Sequence, residues 1–317
     1  MSSAVSRERG PRRVHLALRV AQVSLVAATV YFLVSYLART WSGVRAFDWS
    51  FSPGWLVLSA AAFLLFYLLQ ALAWWLLLRK LELASPLSRA VATWGKSILA
   101  RYIPGNVFMF VGRAWMSHDQ GMPLDRVTAA MVYEQALQVC SALVACALLF
   151  PFWEWQRGLT ALSLLIVPAI VVLLHPRVFS RVAAWLLRLL HRPPLEVTMS
   201  FRTVLALLAY YVAAWIPAGF GAWLLARAVV GLPADAVPLV LVAFVLSYVV
   251  GMAAFIFPSG IGVREAVLAA SLAGELTGGV ALAWALLLRL WVTVMELAFV
   301  GLALLVDSVR RPRRGQM

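Results

Sequence analysis

The sequence predicts an all-α polytopic membrane protein, and three observations predict it. Of 317 residues, 63% are hydrophobic and 13% charged, with mean hydropathy +0.89, whereas a soluble domain is about half apolar and about a quarter charged. The apolar residues gather into seven segments, each long enough to cross a hydrocarbon core of about 30 Å. Two further segments, 101–115 and 255–267, start apolar, break at a Pro with a small neighbour, and then present an arginine. Broken backbone at membrane depth is tolerated only where protein or a water-filled cavity surrounds it, so the two breaks mark a lined cavity.

Residues 1–13 are a basic N terminus carrying Arg7, Arg9, Arg12 and Arg13. The apolar run at 14–38 is longer than the core of a secretory signal and reads as an uncleaved first span. Trp41 and Trp49 in the mixed loop 39–53 suit an interface, and the second span, 55–78, is closed by Arg79 and Lys80. Spans follow at 129–150, 159–174, 204–229, 238–257 and 280–306. Between them, the linker 175–202 carries Arg177, Arg181, Arg188, Arg192 and Arg202 against Glu196. Its Val178, Val182, Trp185, Leu186 and Leu189 recur at helical spacing, which predicts a helix lying on a membrane surface. A basic tail, 307–317, carries Arg310, Arg311, Arg313 and Arg314.

Arginine-rich segments stay on the cytoplasmic side, so both termini and the linker are expected there, in the cell membrane. The crossings then return the first broken segment to the cytoplasmic side, while the second enters and returns from outside. Re-entrant hairpins or pairs of short tilted helices both satisfy this count. Residues 14–306 form a single transmembrane domain with halves at 14–150 and 159–306. Pro104 and Pro258 are 154 positions apart, Arg113 and Arg264 are 151 apart, and Glu134 and Arg289 are 155 apart. Near-equal offsets predict an inverted-topology repeat, an architecture of alternating-access transporters.

The broken segments supply the candidate site. Pro104, Gly105, Asn106 and Gly112 lead to Arg113; Pro258, Ser259, Gly260 and Gly262 lead to Arg264. Each arginine follows a Gly where a helix is expected to start, a place that favours an anion, and a guanidinium adds a bidentate phosphate donor. Arg289 and Glu296 lie two turns apart on the last span with Thr293 between them. They read either as a polar stripe beside a lipid headgroup path or as ion-pair partners, for example Arg289 with Glu134 or Glu265. Glu134 and Glu265 read as counter-ions to arginines, with proton coupling as the other role a buried carboxylate can take.

In Arg101-Tyr102-Ile103-Pro104-Gly105-Asn106, Gly112-Arg113, Glu134 and Pro258-Ser259-Gly260-Ile261-Gly262-Val263-Arg264-Glu265, the chain resembles the transmembrane flippase region of the lysylphosphatidylglycerol synthase/flippase family. The resemblance covers most of the chain. It implies a transporter that moves an amino-acylated or other phospholipid, or a polyprenyl-linked lipid, between leaflets, and it makes anionic or phosphate-bearing lipids the expected partners. The soluble aminoacyl-transferase domain of bifunctional members has no counterpart before the end of the chain at Met317, so synthase activity is not expected of it. A separate synthase or a second copy of the chain is the protein partner this reading allows.

Other classes fit less well. The net charge of +14 is spread over loops and span ends rather than gathered on a soluble basic face, which argues against nucleic acid and for anionic lipid. Cys140 and Cys146, six apart in one apolar segment, read as packing residues, and His15, His118, His175 and His191 lack metal-ligand spacing, so no metal is expected. Gly260-Ile261-Gly262 begins like a dinucleotide fingerprint, but Glu265 stands where the third Gly belongs; no cofactor is expected. A headgroup enzyme using His118 and Asp119, or a scaffold recruiting a cytoplasmic partner through the arginine linker, remains the alternative to transport.

Overall fold

In the computed structural model of the protein, residues 31, 34–100, 107–152, 164–189, 199–254 and 260–310 are described. Every regular element among them is helical. The principal helices are α1 (Trp41–Ala46), α2 (Pro53–Lys80), α3 (Leu87–Leu99), α4 (Val107–His118), α5 (Leu124–Leu149), α6 (Ile166–Leu173), α7 (Pro176–Leu189), α8 (Phe201–Val230), α9 (Val237–Ala253), α10 (Val263–Ser271) and α11 (Gly278–Arg310). Among the described residues five helical stretches are long and apolar enough to cross a membrane: Pro53–Lys80, Leu124–Leu149, Phe201–Val230, Ala234–Ala253 and Gly278–Val309.

These five correspond to five of the seven expected spans. The expected span at 14–38 lies outside the described residues but for its helical end. The expected span at 159–174 is seen only as α6, which bends by 76° into α7. Pro176 sits at that bend, where its ring and missing N–H prevent the helix from running straight on. The expected span 238–257 stops earlier, with α9 ending at Ala253. Local chemistry sets other ends: Pro53 occupies the first turn of α2, where its missing N–H costs nothing, and the Ser200 side chain accepts from Thr203 N to cap α8.

Cross-helix bonds give the directions. Ser50 N donates to Val229 O at 3.1 Å, Ser59 Oγ to Gly221 O at 2.7 Å, and Tyr210 Oη to Leu69 O at 2.8 Å, so α2 and α8 run antiparallel at the centre of the bundle. Trp291 Nε1 reaches Ser59 Oγ at 3.0 Å while Phe299 stacks on Tyr67, so α11 runs parallel to α2. Arg113 Nε bonds Ser97 Oγ at 2.8 Å and Gln120 Nε2 bonds Thr93 Oγ1 at 2.9 Å, which makes α3 and α4 an antiparallel hairpin following α2. Arg264 lies against Tyr248 and Gly260 against Gly251, which makes α9 and α10 a second such hairpin following α8. Because α2 and α8 are antiparallel, the hairpins start from opposite ends of the bundle.

Packing between the halves is reciprocal. α3 packs on α11 and α9 packs on α5; α2 packs on α11 and α8 on α5. At 13 and 12 residues, α3 and α4 reach only about 20 Å and 18 Å, short of a bilayer core. The end of the bundle where α2 finishes carries Arg79 and Lys80, with Arg126 of α5 donating to Leu81 O at 3.4 Å. The linker helix α7 is pinned at its inner face, where Phe179 stacks on Tyr133 at 4.7 Å, and it leaves Trp185 and Val182 exposed beside Arg177, Arg181 and Arg188. Within the expected linker 175–202, Pro176–Leu189 is helical.

Candidate functional site

In the first half, four helices enclose one ion pair. Arg113 of α4 is 2% exposed, and its guanidinium donates to Glu134 of α5 and to Ser97 of α3 while lying 4.7 Å over the ring of Trp74 on α2. The other oxygen of Glu134 accepts from Trp94 Nε1 at 2.8 Å. Trp94 and Ser97 are one turn apart on α3 and so share a face. Arg113 was expected at a helix start after Gly112; instead α4 already begins at Val107, and both residues sit inside it. Its surroundings are therefore a carboxylate, a hydroxyl and a ring rather than free helix N–H groups.

In the second half the signs are exchanged. Glu265 of α10, 2% exposed, accepts from Arg289 of α11 at 2.5 Å and from Gly262 N at 2.6 Å. The second bond closes the first turn of α10, where Gly262 at φ +85° opens the helix in a conformation that excludes most side chains. Arg289 thus pairs with Glu265, one of the partners considered for it from the sequence. Arg264, the second residue of α10, does sit at a helix start. Its aliphatic stem crosses Gly251, where a Cβ would lie 2.4 Å from Cγ, and its guanidinium is held 5.7 Å over Tyr248 and 6.0 Å over Phe244.

Between the halves lies a cavity of about 360 Å³ whose wall includes Arg113, Glu134 and Arg264. That volume falls in the range of small-ligand sites, ~300–1,000 Å³. A smaller space of about 50 Å³ adjoins it, lined by Arg264, Glu265, Arg289, Thr293 and Glu296. Arg264 belongs to both. Glu296, 1% exposed, accepts from Tyr67 Oη at 3.2 Å. All six charged candidates therefore border one of two adjoining spaces. Of the break residues, Gly260 lines the larger cavity; Pro104, Gly105, Asn106, Pro258 and Ser259 lie outside the described residues.

A family profile described as the lysylphosphatidylglycerol synthase TM region matches residues 19–299, a stretch that contains both hairpins, both ion pairs and both spaces. The chain belongs to this family. Among curated proteins none matches it. The family match and the apolar helices together make the chain an integral membrane protein with a lipid-related role.

Within this transmembrane region, several residues escaped sequence reasoning: Trp94 lines the large cavity and Ser97 holds Arg113 in its wall. Trp94 and Ser97 sit on α3, a helix whose mixture of Arg89, Lys96, serines and apolar residues never forms a long apolar run. Their spacing of three was the available signal. Gln70, Gln135 and Gln138 also line the large cavity; an amide in the middle of a span is costly enough to have been noticed on that ground. His118 and Asp119, the residues of the headgroup-enzyme alternative, are exposed at the end of α4 and are not in the wall of either space. Cys140 and Cys146 are buried and unbridged, as packing residues would be.

Proposed function

We propose that the protein is a lipid transporter that passes a phosphate-bearing headgroup between leaflets, without chemical change, while the acyl chains stay in the bilayer. One observation carries the reading: two hairpins that start from opposite ends of the bundle deliver Arg113 and Arg264 to the wall of the same cavity. A site lined by broken segments from both halves is the arrangement around which alternating access works. The halves act as an inverted-topology repeat, a view supported by the antiparallel α2 and α8 and by the reciprocal packing of α3 on α11 and α9 on α5. The first hairpin, of the short helices α3 and α4, is then re-entrant, the second folds the short α10 back on the spanning helix α9, and the arginine-rich end faces the cytoplasm of a cell membrane.

In this mechanism the two arginines divide the work. Arg113, enclosed at 2% exposure with Glu134 and Ser97, holds four helices together and contributes a neutral pair to the wall. Arg264, half-buried at a helix start and turned over aromatic faces, is the phosphate donor. The experiment is reconstitution of the full chain into phosphatidylcholine vesicles containing a trace of tail-labelled anionic phospholipid. Bleaching of the outer leaflet should reach beyond the half of the label seen in protein-free vesicles, with the lipid mass unchanged. A new product mass would replace transport with headgroup chemistry, and no movement for any phospholipid or polyprenyl phosphate would end the transport reading.

A further inference from the structure

Beside the large cavity, Arg264, Glu265, Arg289 and Glu296 border the space of about 50 Å³. It has room for about three waters and not for a lipid headgroup. Two arginines and two carboxylates meet there, and Arg289 is paired with Glu265 at 2.5 Å. The charge in this space that balances Arg264 is therefore that of Glu296, which is 1% exposed on α11. The other helices packed on α11 add no further charge: α2 brings Tyr67, Arg89 and Lys96 of α3 are exposed, and among the described residues neither α3 nor α8 puts a titratable side chain in the wall of the space. The contact of α1 with α11 is at Gly279, about 25 Å along the helix from Glu296.

Tyr67 equips Glu296 to hold a proton. Its Oη donates to Glu296 Oε2 at 3.2 Å, and a second acceptor, Val292 O, lies 3.3 Å from the same hydroxyl. With Glu296 ionised, the hydroxyl serves the carboxylate; with Glu296 protonated, it turns to Val292 O and accepts from the new O–H. Both protonation states are hydrogen-bonded, as a buried group that titrates requires. Tyr67 and Arg264 also line the large cavity, so they join this carboxylate to the place where a phosphate is bound.

We propose that Glu296 takes up one proton when an anionic headgroup engages Arg264, so that lipid and proton cross together. In the empty protein Glu296 balances Arg264. A phosphodiester that claims the guanidinium leaves the carboxylate as an excess charge at membrane depth, which is costly. A proton from water on the open side forms an O–H bond on Glu296 and removes that charge; it leaves when the phosphate does. The exchange is electroneutral for a monoanionic lipid. Sodium is the poorer occupant, because a cation that is not absorbed into an O–H bond sits against two guanidiniums. This rests on the transport reading for the lipid and deepens it by naming what drives the movement.

Two measurements on the full chain test it. In weakly buffered detergent with a pH dye, binding of short-chain phosphatidylglycerol should withdraw one proton from solution per lipid bound. In phosphatidylcholine vesicles with a trace of tail-labelled phosphatidylglycerol, a difference of one pH unit should gather the label in the leaflet on the alkaline side by up to about tenfold, beyond any shift in protein-free vesicles. Glu296→Gln, which fixes the neutral state, should bind the lipid without proton uptake and lose the pH-driven gathering. Binding by wild type without proton uptake overturns the proton site whether or not the variant folds, as does a sodium gradient that replaces the pH gradient. Proton uptake that survives Glu296→Gln assigns the proton elsewhere and also overturns it. Proton uptake on binding without movement keeps the site and sinks transport; movement indifferent to pH does the reverse, and neither binding nor movement removes both.

Discussion

The two buried ion pairs occupy corresponding places in the two halves, yet they are built differently. Arg113 and Glu265 are 152 positions apart and Glu134 and Arg289 are 155 apart, so the hairpin helix supplies the cation in the first half and the anion in the second. In the first pair both side chains are enclosed, at 2% and 7% exposure; in the second the carboxylate is enclosed at 2% while Arg289 is 27% exposed. Glu134 shares its charge with Arg113 and Trp94, whereas Glu265 spends part of its charge on the backbone at Gly262. The first hairpin meets its neighbours through an enclosed pair, a hydroxyl and a ring, whereas the second meets α11 through Glu265 and Arg289 and sets Arg264 in the cavity wall. The asymmetry makes a specific demand: the enclosed first pair should contribute more to stability than the second.

The largest effect should come from breaking the enclosed pair. Glu134→Gln leaves the Arg113 charge buried with a hydroxyl and a ring, and removal of one partner of a buried pair costs about 3–5 kcal/mol. Melting in detergent should show the loss, and Arg113→Met combined with Glu134→Leu should recover much of it, because a well-packed apolar pair removes the stranded charge. If the double variant melts no higher than Glu134→Gln alone, the pair does something other than neutralise itself.

A smaller loss is expected in the second half. Arg289→Met strands Glu265, but its carboxylate keeps the Gly262 N–H and water can reach the side from which Arg289 withdrew, so the cost should be about 2 kcal/mol. The ratio of the two melting shifts is the direct measure of the asymmetry. Equal shifts in Glu134→Gln and Arg289→Met would remove the distinction between an enclosed pair and a partly exposed one.

What was legible beforehand follows from the kind of signal each feature leaves. Hydropathy reads long apolar helices, so the five described spans coincide with expected ones, and Pro and Gly punctuation located the region of both hairpins. An amphipathic helix as short as α3 leaves no such trace, although Trp94 and Ser97 on it fix the whole Arg113 pair. Gly112 looked like a helix boundary because a Gly before an arginine often is one, but a single Gly is accepted inside a membrane helix. Which arginine meets which glutamate depends on helix rotation, which charge spacing does not encode. By sequence Arg289 could pair with carboxylates such as Glu134 or Glu265, and the packing of α10 on α11 brings it to Glu265.

The most informative functional effect should come from Arg264. Its guanidinium is half-buried and lies over Tyr248 and Phe244, ring contacts worth about 0.5–1 kcal/mol near an exposed surface, and the melting shift of Arg264→Gln is to be read beside its lipid movement. Lipid movement should fall with loss of the charge and fall less in Arg264→Lys, which keeps the charge but not the planar fork. Gly251→Ala supplies a control that leaves the charge in place: its Cβ would lie 2.4 Å from Arg264 Cγ, so the side chain must swing away from its shelf. Overpacking of that kind costs about 1 kcal/mol or more. If position as well as charge matters, Gly251→Ala should slow movement as much as Arg264→Lys does while the guanidinium is still present. Normal transport in Gly251→Ala, with Arg264→Gln inactive and equally stable, would mean that charge in the cavity suffices and that the aromatic shelf has no part in placing it. Loss of melting temperature in step with transport across all three variants would instead make Arg264 a structural residue like Arg113, and the contrast between the two hairpins would disappear.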